Sequence, residues 1–293
     1  MIKTNKDKLI TLAVSGEVVP AQVVRTYETT WDGKSKLCLG VGGINYNLKI
    51  GDKIFGWANG DRAEPGVCSD NTESASRANG YRQKSCIGNV AKIISGEAKG
   101  SKGYVVGKHG YRLPGGAQHT LLYFDAETLE KMTIGDKILV KACGLGLKID
   151  EYEDVMIWSL GPNVLESMGI EDKEGKLYVP VVKEIPAELM GEGWGSSAHS
   201  GHIGIQTSYP PDIEKYGLDD LKFGDLVYLK DILSDWGRHH YRGGATIGVV
   251  VSGPSDVSGR GIGISTIISS REGKLAPVLN PTANIGKYLG ILE

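Results

Sequence analysis

The chain has 293 residues, 40% of them hydrophobic and 23% charged, with a formal net charge of −2. That length suits one large or two ordinary domains around a substantial core. The charge balance lacks the basic footprint of a bulk nucleic-acid binder, and no apolar run approaches the roughly 20 residues that cross a bilayer.

At the start, Lys3, Lys6 and Lys8 are followed by Ser15, Gly16 and Glu17 rather than by an apolar signal region, so a cytoplasmic location is expected. Cys38, Cys68, Cys86 and Cys143 lie far apart with no Cys-x-x-Cys pair, which supplies neither a zinc ribbon nor a disulfide framework. Cys68 draws interest because it follows a polar segment. The 42 glycines, about twice the usual share of roughly 7%, punctuate short stretches of Val, Ile, Tyr and Leu. Many short strands joined by tight turns are expected.

One pattern occurs three times: Ile50-Gly51-Asp52-Lys53-Ile54, Ile134-Gly135-Asp136-Lys137-Ile138 and Phe223-Gly224-Asp225-Leu226-Val227. An apolar residue precedes Gly-Asp and a strand follows. The glycine permits positive φ and the carboxylate accepts from turn amides, so these aspartates are read as turn formers. Between the first two copies, Asp61 and Glu64 share a Pro-Gly turn running to Cys68. Two carboxylates this close can bind a cation or split their pKa values for acid–base work.

From Arg77 to Arg112 the charge is strongly basic, and from Asp150 to Glu174 it inverts, suggesting a boundary near residue 150. The expected division is 1–150, an N-terminal β domain, and 151–293, a C-terminal β-rich domain. Ser95–Lys108 looks like the strand–turn–strand of a KOW-type small barrel, an element that touches RNA in other proteins. Short helices are expected over 125–132, 162–168 and 211–216. Ala245–Val251, a near-continuous apolar run, reads as a buried strand. The predicted fold is mainly β, two packed β-barrel-like or sandwich-like units with few short helices.

His109 and His119 bracket a Gly/Pro loop, His199 and His202 form His-x-x-His, and His239 adjoins His240. Imidazole favours zinc-like divalent metals, and three protein ligands are common in catalytic sites. The expected metal ligands are His199, His202 and His239. Asp231, Glu64 or His239 would serve the chemistry, while Asp61, Arg238, Tyr241, Arg260 and Gly261 would hold ligand. The Gly253–Gly263 loop with Arg260 also reads as an anion-binding nest. If the strands after the two histidine turns run parallel, those turns meet at one edge, with Trp194 and Trp236 as an apolar wall.

Several segments stand out together: Gly-Asp-Arg-Ala-Glu-Pro-Gly-Val (60–67), Ala-Lys-Gly-Ser-Lys-Gly-Tyr-Val-Val-Gly-Lys-His-Gly (98–110), Leu-Met-Gly (189–191), Gly-His-Ile-Gly-Ile-Gln-Thr (201–207) and Ala-Thr-Ile-Gly-Val-Val-Val (245–251). They resemble a bacterial and archaeal family known only as a domain of unknown function, described in N- and C-terminal parts. That resemblance implies a two-part β-rich fold and carries no activity. His199-Ser200-Gly201-His202-Ile203-Gly204 and Gly224-Asp225 are loosely similar to acetamidase/formamidase-type amidohydrolases, although the Gly-Asp-x-His signature is absent. Three functions stay open: metal-assisted hydrolysis of a small amide or cyclic C–N compound, non-catalytic binding of a small anionic metabolite, and RNA binding through the 77–112 segment. A small-molecule ligand, no membrane, and a homo-oligomeric state complete the expectations.

Overall fold

The computed structural model describes residues 2–23, 27–37, 42–58, 60–110, 118–199 and 201–293. Cys38, Arg112 and Ser200, noted above, lie outside the described residues.

The N-terminal half supplies β1 (Leu12–Val18), a small hairpin of β2 (Tyr27–Thr29) and β3 (Ser35–Leu37), then β4 (Val67–Asp70) and helix α1 (Ala75–Lys84). β5 (Val90–Ile93), β6 (Lys102–Gly110), β7 (Gln118–Tyr123), helix α2 (Ala126–Lys131) and β8 (Lys137–Ala142) follow. Six of these strands close a barrel in the order β1-β4-β7-β6-β5-β8. In β8 every second residue (Ile138, Val140, Ala142) is buried, as a half-solvated strand requires, whereas β6 and β7 are buried almost throughout. Residues 94–101 form the turn between β5 and β6, and the pair runs antiparallel with Ala91 opposite Gly103.

The C-terminal half contains β9 (Val155–Ile157), helix α3 (Pro162–Ser167), β10 (Glu171–Lys173), β11 (Lys176–Val181), β12 (Lys183–Pro186), β13 (Met190–Glu192) and β14 (Ile203–Gln206). Helix α4 (Pro210–Tyr216), β15 (Leu226–Ser234), β16 (Arg238–Ser252), β17 (Gly261–Ser270), β18 (Leu275–Leu279) and helix α5 (Ile285–Tyr288) complete it. A seven-stranded sheet runs β12-β15-β16-β17-β14-β13, with β9 pairing β17 off that path. In β16 residues 240–243 are exposed, whereas every position from Gly244 to Ser252 is buried, so the apolar run is covered on both faces. The chain is therefore mainly β in two packed units.

The three Gly-Asp turns are chemically identical. Asp52, Asp136 and Asp225 accept from the backbone N–H three residues earlier, Lys49, Thr133 and Lys222, at 2.8, 2.9 and 2.8 Å. Gly51, Gly135 and Gly224 take φ of +93°, +90° and +90°, the region that glycine enters at least cost. The first and third turns pair with each other, Gly51 N–H donating to Phe223 O and Phe223 N–H to Asp52 O.

One face of β6 lies against the large sheet, and two glycines make that approach possible. A Cβ at Gly107 would collide with Val251, and one at Gly263 would come 2.9 Å from the His109 ring. Gly261 plays the same part within the sheet, where a Cβ would strike Ile205 O and fall 2.6 Å from Thr207 N. Its lack of a side chain lets β14 and β17 pair. Gly261→Ala should cost about 2–3 kcal/mol of stability through overpacking, measured by urea unfolding; an unchanged midpoint would contradict this packing.

Candidate functional site

Where β6 and β7 meet the large sheet, a set of buried polar side chains is assembled from both halves. Glu64 sits in the loop before β4, between Arg62 at φ +54° and Gly66 at φ +73°. Its backbone carbonyl accepts from the Asn45 side chain at 3.1 Å. Cys68 follows four residues later on β4, and His109 and His119 are direct cross-strand partners on β6 and β7. Directly opposed residues share a face, so both imidazoles turn toward Glu64. His202 enters from just before β14 and stacks on His109 with centroids 4.2 Å apart.

The hydrogen bonds assign the protons. Glu64 accepts from Gly42 N–H at 2.8 Å and from the Cys68 thiol at 3.0 Å, and it pairs with His109 Nδ1. His119 Nε2 stands 3.7 Å from the same carboxylate. On the far ring, Gly110 N–H donates to His202 Nδ1 at 3.1 Å, so Nε2 carries the proton toward Glu192 at 3.2 Å. The Nε2 atoms of His109 and His119 are buried and have no hydrogen-bond partner, and such groups call for a physical explanation.

Electrostatics follow from burial and neighbours. Burial opposes ionisation of Glu64, but His119, His109 and the donated hydrogen bonds outweigh it and hold its carboxyl below the usual range. Burial, then the Glu64 charge, push the Cys68 thiol well up, keeping it protonated. Burial depresses His109 against the pull of Glu64, and burial drives His202 well below an ordinary imidazole. These shifts come from desolvation and specific partners together, the combination typical of functional groups.

A cleft of about 450 Å³ borders the cluster at Glu64, lined among others by Asn45, Tyr46, Asn47, Trp57 and Gly60. That volume lies in the range of small-molecule sites. Three donor atoms from Glu64, Cys68 and His119 lie within 4.8 Å of one another, and among the described residues they form the group able to hold a metal ion.

The residues expected from sequence are placed as follows. Glu64 is central and His202 is buried beside it. His199 instead packs edge-on against Trp158 at 4.6 Å, while its carbonyl accepts from buried Lys108 at 2.9 Å. His239 is partly exposed near Gly237 O at 3.2 Å, so the three histidines do not form a ligand group. Asp231, at φ +57° in the β15 bulge, accepts from Gly243 N–H at 2.7 Å and serves the hairpin. Tyr241 lies under the Arg271 guanidinium at 4.7 Å. Asp61 is buried, and Arg260 is engaged by Glu28 and by Glu192 at 3.6 Å.

The two histidine turns do meet, though through arginine rather than histidine. β14 and β16 both run antiparallel to β17, and are therefore parallel with one strand between them. Arg238 spans the gap: its Nη1 donates to His202 O at 2.9 Å, and its backbone exchanges hydrogen bonds with Gly195 and Ser196. Trp236 forms part of an aromatic wall, edge-on to Trp158 at 5.8 Å. The basic 77–112 run is dispersed, with Lys108 buried and Arg82 paired to Asp70 at 3.1 Å. No helix among the described residues is long and apolar enough to cross a membrane.

Residues 27–166 match a family described as domain of unknown function (DUF4438), N-terminal, and residues 167–289 match its C-terminal part. No curated protein matches the chain. The crystal structure of TM1086 is similar throughout: 40% identity, TM-score 0.90, covering 98% of this chain and 99% of that one.

Proposed function

We propose that this chain, which belongs to the DUF4438 family, is an enzyme that hydrolyses a small amide or cyclic C–N compound in the cleft ending on Glu64. The observation that carries the reading is a ligand-sized cleft whose lining includes Glu64, a buried carboxylate beside two imidazoles whose Nε2 atoms lack hydrogen-bond partners. Water oxygen adds to the substrate's carbonyl carbon, and the displaced proton passes to the Glu64–imidazole group. The C–N bond then breaks and that proton leaves with the nitrogen, giving an acid and an amine. A positioned acid–base group of this kind contributes about 10²–10⁴-fold.

Tyr46 and Trp57, 50% and 39% exposed, offer faces for a planar amide or ring, and Asn47 a polar contact. The alternative anion-binding reading draws less support, because the Arg260 guanidinium already faces Glu28 and Glu192. Formamide, acetamide, succinimide and hydantoin, followed by proton NMR, form the first test. Wild-type protein should turn over at least one class, Glu64→Gln should lose about 100-fold or more, and Trp57→Ala should raise KM with kcat nearly kept. Thermal shifts without turnover would replace the hydrolase by a binding protein, and neither response would remove the cleft as the site.

A further inference from the structure

We infer that Glu64, Cys68 and His119 together form a binding site for one divalent transition metal of the zinc type. This rests on the hydrolytic reading and deepens it, because a bound metal lowers the pKa of its water from 15.7 to about 7.

The geometry is close to what such an ion needs. Metal–ligand lengths of about 2.0–2.3 Å put tetrahedral donors roughly 3.3–3.8 Å apart, and here the three donor atoms already lie within 4.8 Å of one another. Two come from neighbouring barrel strands, β4 and β7, whose pairing puts Cys68 opposite Leu121, two residues from His119. The shift required is a side-chain contraction, not a rearrangement of the sheet.

The second, independent observation is His119 itself. It is 2% exposed, yet its Nε2 has no hydrogen-bond partner and stands 3.7 Å from the Glu64 carboxylate. A buried ring nitrogen left without a partner is costly, and coordination would satisfy it. Glu64 is supported from behind by Gly42 N–H and His109 Nδ1, the outer contacts that orient metal-bound carboxylates.

The donor set selects the ion. A thiolate, an imidazole and a carboxylate suit zinc, cobalt or ferrous iron and disfavour magnesium or calcium, which take oxygen ligands. Three protein ligands leave a fourth position for water or substrate, as in catalytic zinc sites. As the metal–sulfur bond forms, the Cys68 thiol gives its proton to solvent, so one proton is released for each ion bound.

The full chain, dialysed against chelator, is titrated with cobalt chloride and then with zinc chloride. One equivalent of cobalt should bind, with a near-ultraviolet charge-transfer band that only a thiolate ligand produces, and zinc should displace it. His119→Gln should weaken binding about 100-fold or more, Cys68→Ser should lose the band, and His239→Ala should leave both unchanged. X-ray absorption of the cobalt-loaded wild type, which depends on no variant folding, should show one sulfur neighbour. A nitrogen/oxygen shell alone, no stoichiometric uptake, or wild-type binding by both ligand variants would overturn the site. Metal binding without turnover would remove the hydrolase and keep the site, and turnover by a protein that takes up no stoichiometric metal would do the reverse.

Discussion

Replacing Arg238 by alanine is expected to lower stability by about 3–5 kcal/mol, as when a large buried side chain is truncated to alanine. Arg238 is 1% exposed and heads the fully buried side chains by volume. It carries three connections between the two turns of the C-terminal sheet, one from its guanidinium and two from its backbone. Alanine keeps the backbone pair but leaves a cavity and strips the His202 carbonyl of its 2.9 Å donor. Both losses are costly in a packed interior. Arg238→Met separates them, since it fills volume without burying a charge that burial already pushes down to about 9. Guanidinium unfolding should show the methionine variant recovering a large part of the loss. A change below about 1 kcal/mol in the alanine variant would contradict the bridging role.

The second large effect is a pH dependence. Lys108 is fully buried, and burial pushes its ammonium down to about 8 from 10.5, with the Cys86 neighbour opposing. Its Nζ donates to Ser159 Oγ at 2.7 Å and to His199 O at 2.9 Å. Between pH 8 and 10.5 the unfolded chain holds this proton and the native chain does not, so unfolding takes up a proton and native stability rises with pH. The shift of 2.5 units corresponds to about 3 kcal/mol. Lys108→Met removes the buried charge and should be at least as stable as wild type at pH 7. The wild type should then gain about 3 kcal/mol on the variant between pH 7 and 10.5. A stability difference independent of pH over that range would rule out the buried-ammonium account.

Much of the fold is local and therefore readable in the chain. The Gly-Asp turns follow from glycine's positive φ and an aspartate three residues after its donor, and α4 stops where Gly217 turns to φ +57°. Helix α1 is less legible: Ser74 caps it by accepting from Arg77 N–H, yet only Ala78 and Tyr81 are buried. An all-polar surface with two inward residues leaves almost no 3.6-residue signal.

The site is harder because its parts are distant in sequence. His199-x-x-His202 looks like a paired ligand motif, but the turn sends His202 into the cluster and His199 out against Trp158. The informative pair is His109 and His119. They flank a loop between strands and become visible as partners only when those strands are put in register. Glu192 carries no local pattern at all; its role arises from the pairing of β13 with β14, which sets Glu192 opposite Gly204, beside His202.

The most direct test of the central claim is anomalous diffraction at the zinc edge from crystals of the full chain grown with one equivalent of zinc. The expected result is a single peak about 2.0–2.3 Å from Glu64, Cys68 Sγ and His119 Nε2, with its fourth position open to the Tyr46–Trp57 cleft. A peak at His199, His202 or His239 instead, or none at the Glu64 cluster, would contradict it.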